Sequence, residues 1–197
     1  MRPLILASTS TARAAILEAA GVTFETVAPE VDEAEIKARL IGEGRAPLAV
    51  AKVLAARKAV AVSERHDALA VGADQTLECD GSLIDKAAGL EEARATMVRL
   101  RGREHLLHSA VALAEAGQVV WSAHETARMF MRDFSESFLA GYLAREGARL
   151  LTTVGGYRLE GEGAQLFDRI DGDYFAILGL PLLPLLRAMR ATGALAT

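Results

Sequence analysis

Apolar residues fall along this chain in short unbroken runs and in longer stripes at helical spacing, and the two kinds alternate. The first run, Leu4-Ile-Leu-Ala7, reads as a strand. Ser8-Thr-Ser-Thr11 then offers N-cap hydroxyls to a helix over Ala12 to Ala20, which Gly21 closes. Phe24 to Ala28 alternates as a second strand, and a polar, glycine-containing loop covers Ile41 to Ala46. Pro47 opens a long helix through Ser63. The sharpest run comes next: Leu69 to Ala73 reads as a strand buried on both faces, running into Asp74 and Gln75. Leu77-Glu-Cys79 and Ser82-Leu-Ile84 flank Asp80-Gly81, a strong hairpin signal.

Beyond the hairpin, Leu90 to Arg101 predicts a helix with Leu90, Ala93, Met97 and Leu100 inward. Glu104 to Ala116 reads as a long strand, which Gly117 turns into strand-like runs at Gln118 to Ser122 and Glu125 to Met131. Asp133 with Glu136 predicts a capping box for a helix that turns Phe134, Phe138, Leu139 and Tyr142 inward. Ala164 to Ile170 and Tyr174 to Leu178, joined across Asp171-Gly172, predict a closing strand pair. After Gly179-Leu-Pro181 a terminal helix runs through Met189. Strands and helices in alternation indicate the α/β class. With no repeat, low-complexity segment or linker, the 197 residues predict a single domain, 1–197.

Charge and cysteine usage narrow the setting. A formal charge of −4 gives no global basic field for nucleic acid or an anionic membrane. Any anionic ligand must therefore be held by a local cluster of cations. The single cysteine, Cys79, excludes an internal disulfide and a cysteine-based zinc site and suits a reducing compartment. The apolar run after Met-Arg-Pro is too short for a signal peptide, and no run approaches the ~20 residues of a membrane span. The expected location is the cytoplasm.

Within this frame a few polar residues stand out. Open α/β sheets bind ligands beyond the carboxyl ends of their strands, where Asp74 falls; an acid there can equally just cap a turn. Arg13 opposes the helix dipole in the first turn of its helix, which an anion bound beside it would relieve. The plain alternative is a surface arginine next to a serine cap. At 100° per residue, Lys58 lies within the stripe of Ala51, Leu54, Ala55 and Val62. It either snorkels to water or points over the sheet end, where it needs an anionic partner. In Pro29-Glu-Val-Asp-Glu33 the acids form a solvated loop or, through Asp32 and Glu33, hold a hard cation. Lys86, just after the hairpin, returns towards Asp74.

Several chemistries drop out. G-x-S-x-G, H-E-x-x-H and G-x-G-x-x-G are absent. His105 and His108, three apart in a strand, face opposite sides and make poor joint ligands. What remains is Ser8, Ser10, Arg13, Glu33, Lys58, Asp74 and Lys86. Cations suit a polyphosphate, and carboxylates suit Mg²⁺ or Mn²⁺. The set points to hydrolysis of a phosphate ester or phosphoanhydride, with Asp74 binding metal or taking a proton from water.

In their order along the chain these segments resemble the Maf nucleotide pyrophosphatases. The resemblance rests on Leu6-Ala-Ser-Thr-Ser10 with Arg13, Pro29 to Glu33, Lys58-Ala59, Gly72-Ala-Asp-Gln75, Asp85-Lys86 and Gly102-Arg-Glu-His105. Gly156-Tyr-Arg-Leu-Glu160-Gly161 and Gly179-Leu-Pro181-Leu182 complete it. It implies a Maf/ITPase-like fold, an elongated mixed β-sheet flanked by helices with a cleft, in a homodimer. It also implies metal-dependent cleavage of a nucleoside triphosphate to the monophosphate and pyrophosphate. By that likeness Asp74 is the proton acceptor and a metal ligand with Glu33, while Ser8, Ser10, Arg13, Lys58 and Lys86 surround the phosphates.

The resemblance also implies that Ala12, Gln75 and Glu160 fall at positions that track base preference. Gln75 and Glu160 match the branch resembling 7-methyl-GTP pyrophosphatases rather than dTTP/UTP enzymes. A carboxylate at Glu160 would suit a cationic methylated guanine. Ala12 replaces a larger residue, Ala14 replaces a second arginine, and Asp85-Lys86-Ala87 replaces Gly-Lys-Pro. These departures touch the substrate more than the reaction. The other readings are a nucleotide-binding regulator of septum formation without turnover, and a dTTP/UTP-preferring pyrophosphatase.

Overall fold

The computed structural model describes residues 2–196. Seven strands form one mixed sheet: β1 (Leu4–Ala7), β2 (Glu25–Val27), β3 (Leu69–Cys79), β4 (Ser82–Ile84), β5 (Glu104–Glu115), β6 (Gln118–Met131) and β7 (Phe167–Asp171). The order is β2-β1-β3-β5-β6-β7, with β4 on β3. The pairs β1–β2 and β1–β3 are parallel, and the rest are antiparallel. The helices are α1 (Thr11–Ala19), α2 (Glu33–Gly42), α3 (Pro47–Ser63), α4 (Leu90–Leu100), α5 (Glu136–Glu146), α6 (Tyr174–Ile177) and α7 (Leu182–Ala191).

β1 explains its own burial pattern. Leu4 and Leu6 turn to one face of the sheet, with Leu17 of α1 and Leu185 of α7, while Ile5 and Ala7 turn to the other, against Val62 of α3. A parallel strand covered on both faces has to be apolar throughout. α3 lies close to the sheet through alanines: Ala51 and Ala55 meet Ala110, and Ala59 meets Ala112 and Ala114. Gly72 sets that approach, because a Cβ there would lie 2.1 Å from the Ala55 carbonyl oxygen. A second core around Leu77, Met97, Leu100, Met129, Phe134 and Tyr142 joins the far half of the sheet to α4 and α5.

The arrangement of β1 and β4 positions the site. Both pair with the same edge of β3, because β5 occupies the other edge from Ala70 to Glu78. β1 ends with Ala7 opposite Gly72, and β4 ends with Ile84 opposite Leu77. Residues 73 to 76 of β3, Asp74 among them, therefore have no strand beside them on that edge.

Several sequence expectations are corrected. β3 does not stop at Asp74 but continues to Cys79, so the acid interrupts a strand rather than ending one. Glu33–Gly42, unassigned from the sequence, is a helix; Asp32 caps it by accepting from the Glu35 amide at 2.9 Å. The two runs after Gly117 are one strand, because β5 pairs along the whole of it across a single bulge at Leu113/Ala114. Ser135, not Asp133, caps α5, accepting from the Phe138 amide at 3.2 Å. The expected strand at Tyr174 to Leu178 is instead the short helix α6, since Asp173 accepts from the Ala176 amide at 2.8 Å. β7 pairs with β6 in its place.

Candidate active site

The gap in the β3 ladder opens into a cleft of about 1520 Å³. Ser8, Ser10, Ala12, Arg13, Glu33, Lys58, Asp74, Gln75, Lys86 and Glu160 all line it. The structure thus brings every sequence-predicted site residue to one cavity, each from a different physical cause.

Asp74 and Gln75 are neighbours in a strand and so point to opposite faces. Asp74 faces α3. Its Oδ1 lies 2.7 Å from Lys58 Nζ, and both side chains are buried. The close packing at Gly72 delivers α3, and with it Lys58, to this distance. Thr76 helps from the next outward position by donating to the Pro47 carbonyl at 3.0 Å, which ties the start of α3 to β3. Lys58 Nζ also lies 2.9 Å from Glu33 Oε1, in the first turn of α2. The lysine in the apolar stripe therefore does not snorkel; it is held between two carboxylates. Asp74 Oδ2 is buried and has no hydrogen-bond partner among the described residues. Leaving such an atom unpaired is costly, so it marks where a ligand or water belongs.

The opposite wall begins where β1 ends. Ser10 caps α1, its Oγ accepting from the Arg13 amide at 3.4 Å, and Ser8 Oγ accepts from the Ser10 amide at 3.2 Å. Arg13 then reaches across the chain. Its Nε donates to the Gly179 carbonyl at 2.9 Å and an Nη donates to Ser8 Oγ at 3.2 Å. These acceptors are neutral, so the guanidinium charge stays available to an anion. Burial lowers the Arg13 pKa from its ordinary value, while Asp74 and Glu33 pull it back up. Lys86 enters from the β4 side. Burial lowers its pKa, and repulsion from Arg13 and Lys58 lowers it further. Three cations thus converge on two carboxylates, an excess of positive charge that suits a polyphosphate.

Asp85, the acid beside Lys86, pairs with Lys37 of α2 at 2.6 Å. Its charge is directed at the lysine of α2. Glu160, 3.0 Å from Arg158 Nε, lines the same cleft as Arg149, Thr152 and Thr153. Gln75 faces α6. Its amide nitrogen lies 2.9 Å from Ser109 Oγ, 3.1 Å from the Ala176 carbonyl and 3.0 Å from the Ile177 carbonyl.

His105 and His108 do not reach the cleft. His105 Nε2 lies 2.7 Å from the Tyr157 hydroxyl, and burial pushes its pKa down to about 4. His108 bonds Thr126 and Glu78 on the other face. Cys79 is buried in the second core. Sequence reasoning missed the Gly179 carbonyl and Ser109. A backbone carbonyl leaves no residue-type signal, while Ser109 is a lone hydroxyl between His108 and the apolar run Ala110 to Ala114.

Among the described residues no three His, Cys, Asp or Glu side chains gather to hold a metal. The donor set is two carboxylates, with Asp74 Oδ2 unused. That is the protein share of an Mg²⁺-type site in which phosphate oxygens and water supply the other ligands. The residues are therefore of a type that suits a hard, oxygen-liganded cation.

The sequence profile described as Maf-like protein matches residues 3–192. A nucleoside triphosphate pyrophosphatase of Caulobacter vibrioides is 52% identical over 195 residues, 99% of this chain and 98% of that protein. A protein of the same name from Granulibacter bethesdensis is 50% identical over 98% of each chain. A 7-methyl-GTP pyrophosphatase of Rhizobium johnstonii is 47% identical over 98% of this chain and 97% of its own. With near-complete coverage in both directions, and the motifs gathered at one cleft, the chain belongs to the Maf-like protein family.

Proposed function

We propose that this protein is a nucleoside triphosphate pyrophosphatase, releasing pyrophosphate and leaving a nucleoside monophosphate. The observation that carries the reading is Asp74: a buried carboxylate with one oxygen on Lys58 and the other free, in a cleft with surplus cations. Mere binding of a polyphosphate would call for the cations but not for an unpartnered acid among them. Full-length relatives named nucleoside triphosphate pyrophosphatase support the same reading.

In this proposal Arg13, Lys86 and the Ser8 hydroxyl hold the phosphate oxygens. A water between Asp74 Oδ2 and the α-phosphorus gives its proton to that oxygen while its own oxygen bonds to phosphorus. The bond from the α-phosphorus to the bridging oxygen breaks, and its electron pair leaves with pyrophosphate. Lys58, 2.7 Å from Oδ1, fixes the Asp74 carboxylate in orientation. Asp74 and Glu33 would hold Mg²⁺ or Mn²⁺, which when bound neutralises phosphate charge and lowers the pKa of water.

The finer substrate proposal is a 7-methyl-GTP-like nucleotide. Support comes from Glu160, whose carboxylate in the cleft would attract a cationic base, and from relatives named 7-methyl-GTP pyrophosphatase. The reading includes a cytoplasmic homodimer, on the strength of the family resemblance and a single free, buried cysteine. Nucleoside triphosphates, 7-methyl-GTP and UTP among them, assayed with Mg²⁺ or Mn²⁺ for pyrophosphate release test the proposal. It expects turnover of at least one nucleotide; binding without release of pyrophosphate from any would support a regulator instead.

A further inference from the structure

Ser109 is fully buried in β5 and is absent from the residues that line the cleft. Its hydroxyl nonetheless stands at the centre of a compact polar cluster. It donates to the Ala176 carbonyl at 2.6 Å and accepts from the Gln75 amide nitrogen at 2.9 Å. That nitrogen also reaches the Ala176 and Ile177 carbonyls. A primary amide has two hydrogens, and here both are committed to this inward-facing group. Cutting a buried cluster of this kind leaves polar atoms unpaired, so it holds the α6 backbone in one place.

The turn after α6 connects the cluster to the cleft. Gly179 has φ +99, a conformation that side-chain-bearing residues rarely adopt. The turn it makes aims its carbonyl at Arg13 Nε, 2.9 Å away, and Arg13 in turn reaches Ser8 Oγ. A continuous series of contacts therefore runs from Ser109 and Gln75 through α6 and Gly179 to the guanidinium. Among the described residues, no other hydrogen-bond partner of Arg13 lies so far along the chain from it: Ser8 and Ser10 belong to its own segment, whereas Gly179 is 166 residues away.

We propose that Ser109 is a positioning residue for phosphate binding: together with Gln75 it braces the α6–Gly179 turn, which aims Arg13 into the cleft. The inference rests on the reading of Arg13 as a phosphate ligand. It gives Gln75 a role at the phosphate end through its amide nitrogen, separate from any part its oxygen plays towards the base.

Inorganic pyrophosphate is the probe, titrated calorimetrically in the presence of Mg²⁺, because it has no base to read. Ser109→Ala weakens pyrophosphate binding about fivefold, the scale of one buried hydrogen bond. Gln75→Met, similar in length but without the amide, does the same, and it carries the test if Ser109→Ala does not fold. Arg13→Lys keeps a cation but loses the planar fork that reaches Gly179 and Ser8 together. In that background neither change weakens binding further, since they act through the lost contact. A general loosening of the fold would instead weaken both backgrounds alike, and that result overturns the proposal, as does unchanged affinity in Ser109→Ala and Gln75→Met. If Arg13→Lys and Arg13→Ala both bind pyrophosphate like the unaltered protein, the phosphate-seat reading itself fails. The brace then falls with it, by a separate arm of the experiment.

Discussion

The Lys58 ammonium lies 2.7 Å from Asp74 Oδ1, and both side chains are almost wholly shielded from water, at 6% and 8% exposure. The second partner of Lys58, Glu33, is 43% exposed and can be hydrated when the lysine is gone. Removing one member of a buried ion pair strands the other. Lys58→Met should therefore cost about 3–5 kcal/mol of stability, mostly through the isolated Asp74 carboxylate. Urea unfolding at neutral pH measures it, and an unchanged midpoint would show that water reaches Asp74 freely.

Lys86 supplies a pH signature. Burial and the neighbouring Arg13 and Lys58 charges lower its pKa, so it loses its proton below the ordinary lysine range near 10.4. The neutral amine holds phosphate less well. The KM for a nucleoside triphosphate should thus rise in moderately alkaline solution, before an ordinary lysine would titrate. In Lys86→Met the KM should be higher at neutral pH and that rise should disappear. A rise that persists in the variant would assign the titration to another group.

His105 links pH to stability instead. Its native pKa is about 4, whereas an unfolded chain's histidine titrates near 6.5. Between these values the unfolded chain binds the extra proton, so the native state loses stability as pH falls. The contribution is fully present above about pH 6.5 and amounts to roughly 3 kcal/mol when lost near pH 4. Urea midpoints from pH 7 to 4.5 should fall in the unaltered protein and fall less in a His105→Leu/Tyr157→Phe variant, which removes both hydrogen-bonding partners. Equal slopes would remove His105 from the acid response.

Base preference is tested at Glu160. Glu160→Gln keeps the shape of the side chain and its reach to Arg158 but removes the charge offered to a methylated guanine. It should lower kcat/KM for 7-methyl-GTP about tenfold more than for UTP, the scale of one charge-assisted contact. Equal losses for the two nucleotides would take base reading away from this residue.

Much of this geometry was legible in the residues because it obeys local rules. Pro47 at the start of α3, the Asp80-Gly81 hairpin and the apolar run of β1 all appear in the structure as the sequence implies. Lys58 inside an apolar stripe already required a partner, since an unpaired buried ammonium is costly. The failures came from non-local pairing and competing caps. Whether β3 ends at Asp74 depends on β5 continuing beside it, which no property of Asp74 reveals. Tyr174 to Leu178 is a short apolar run that could equally be a strand, but Asp173 caps it as a helix. Ser135 likewise competes with Asp133 for one helix start, and two residues decide the boundary. At the site, residue types announced the cations and acids, while the gap between β1 and β4 beside Asp74 exists only in the folded sheet.

Asp74→Asn is the most direct measurement, because asparagine preserves the shape and can still accept from Lys58 but is a poor proton acceptor. Pyrophosphate release from the best nucleotide of the panel, at saturating Mg²⁺ or Mn²⁺, should fall by roughly 10²-fold or more. Pyrophosphate binding and the urea midpoint should show that the variant remains folded. Turnover equal to that of the unaltered protein would contradict the assignment of Asp74 as the group that takes the proton from water.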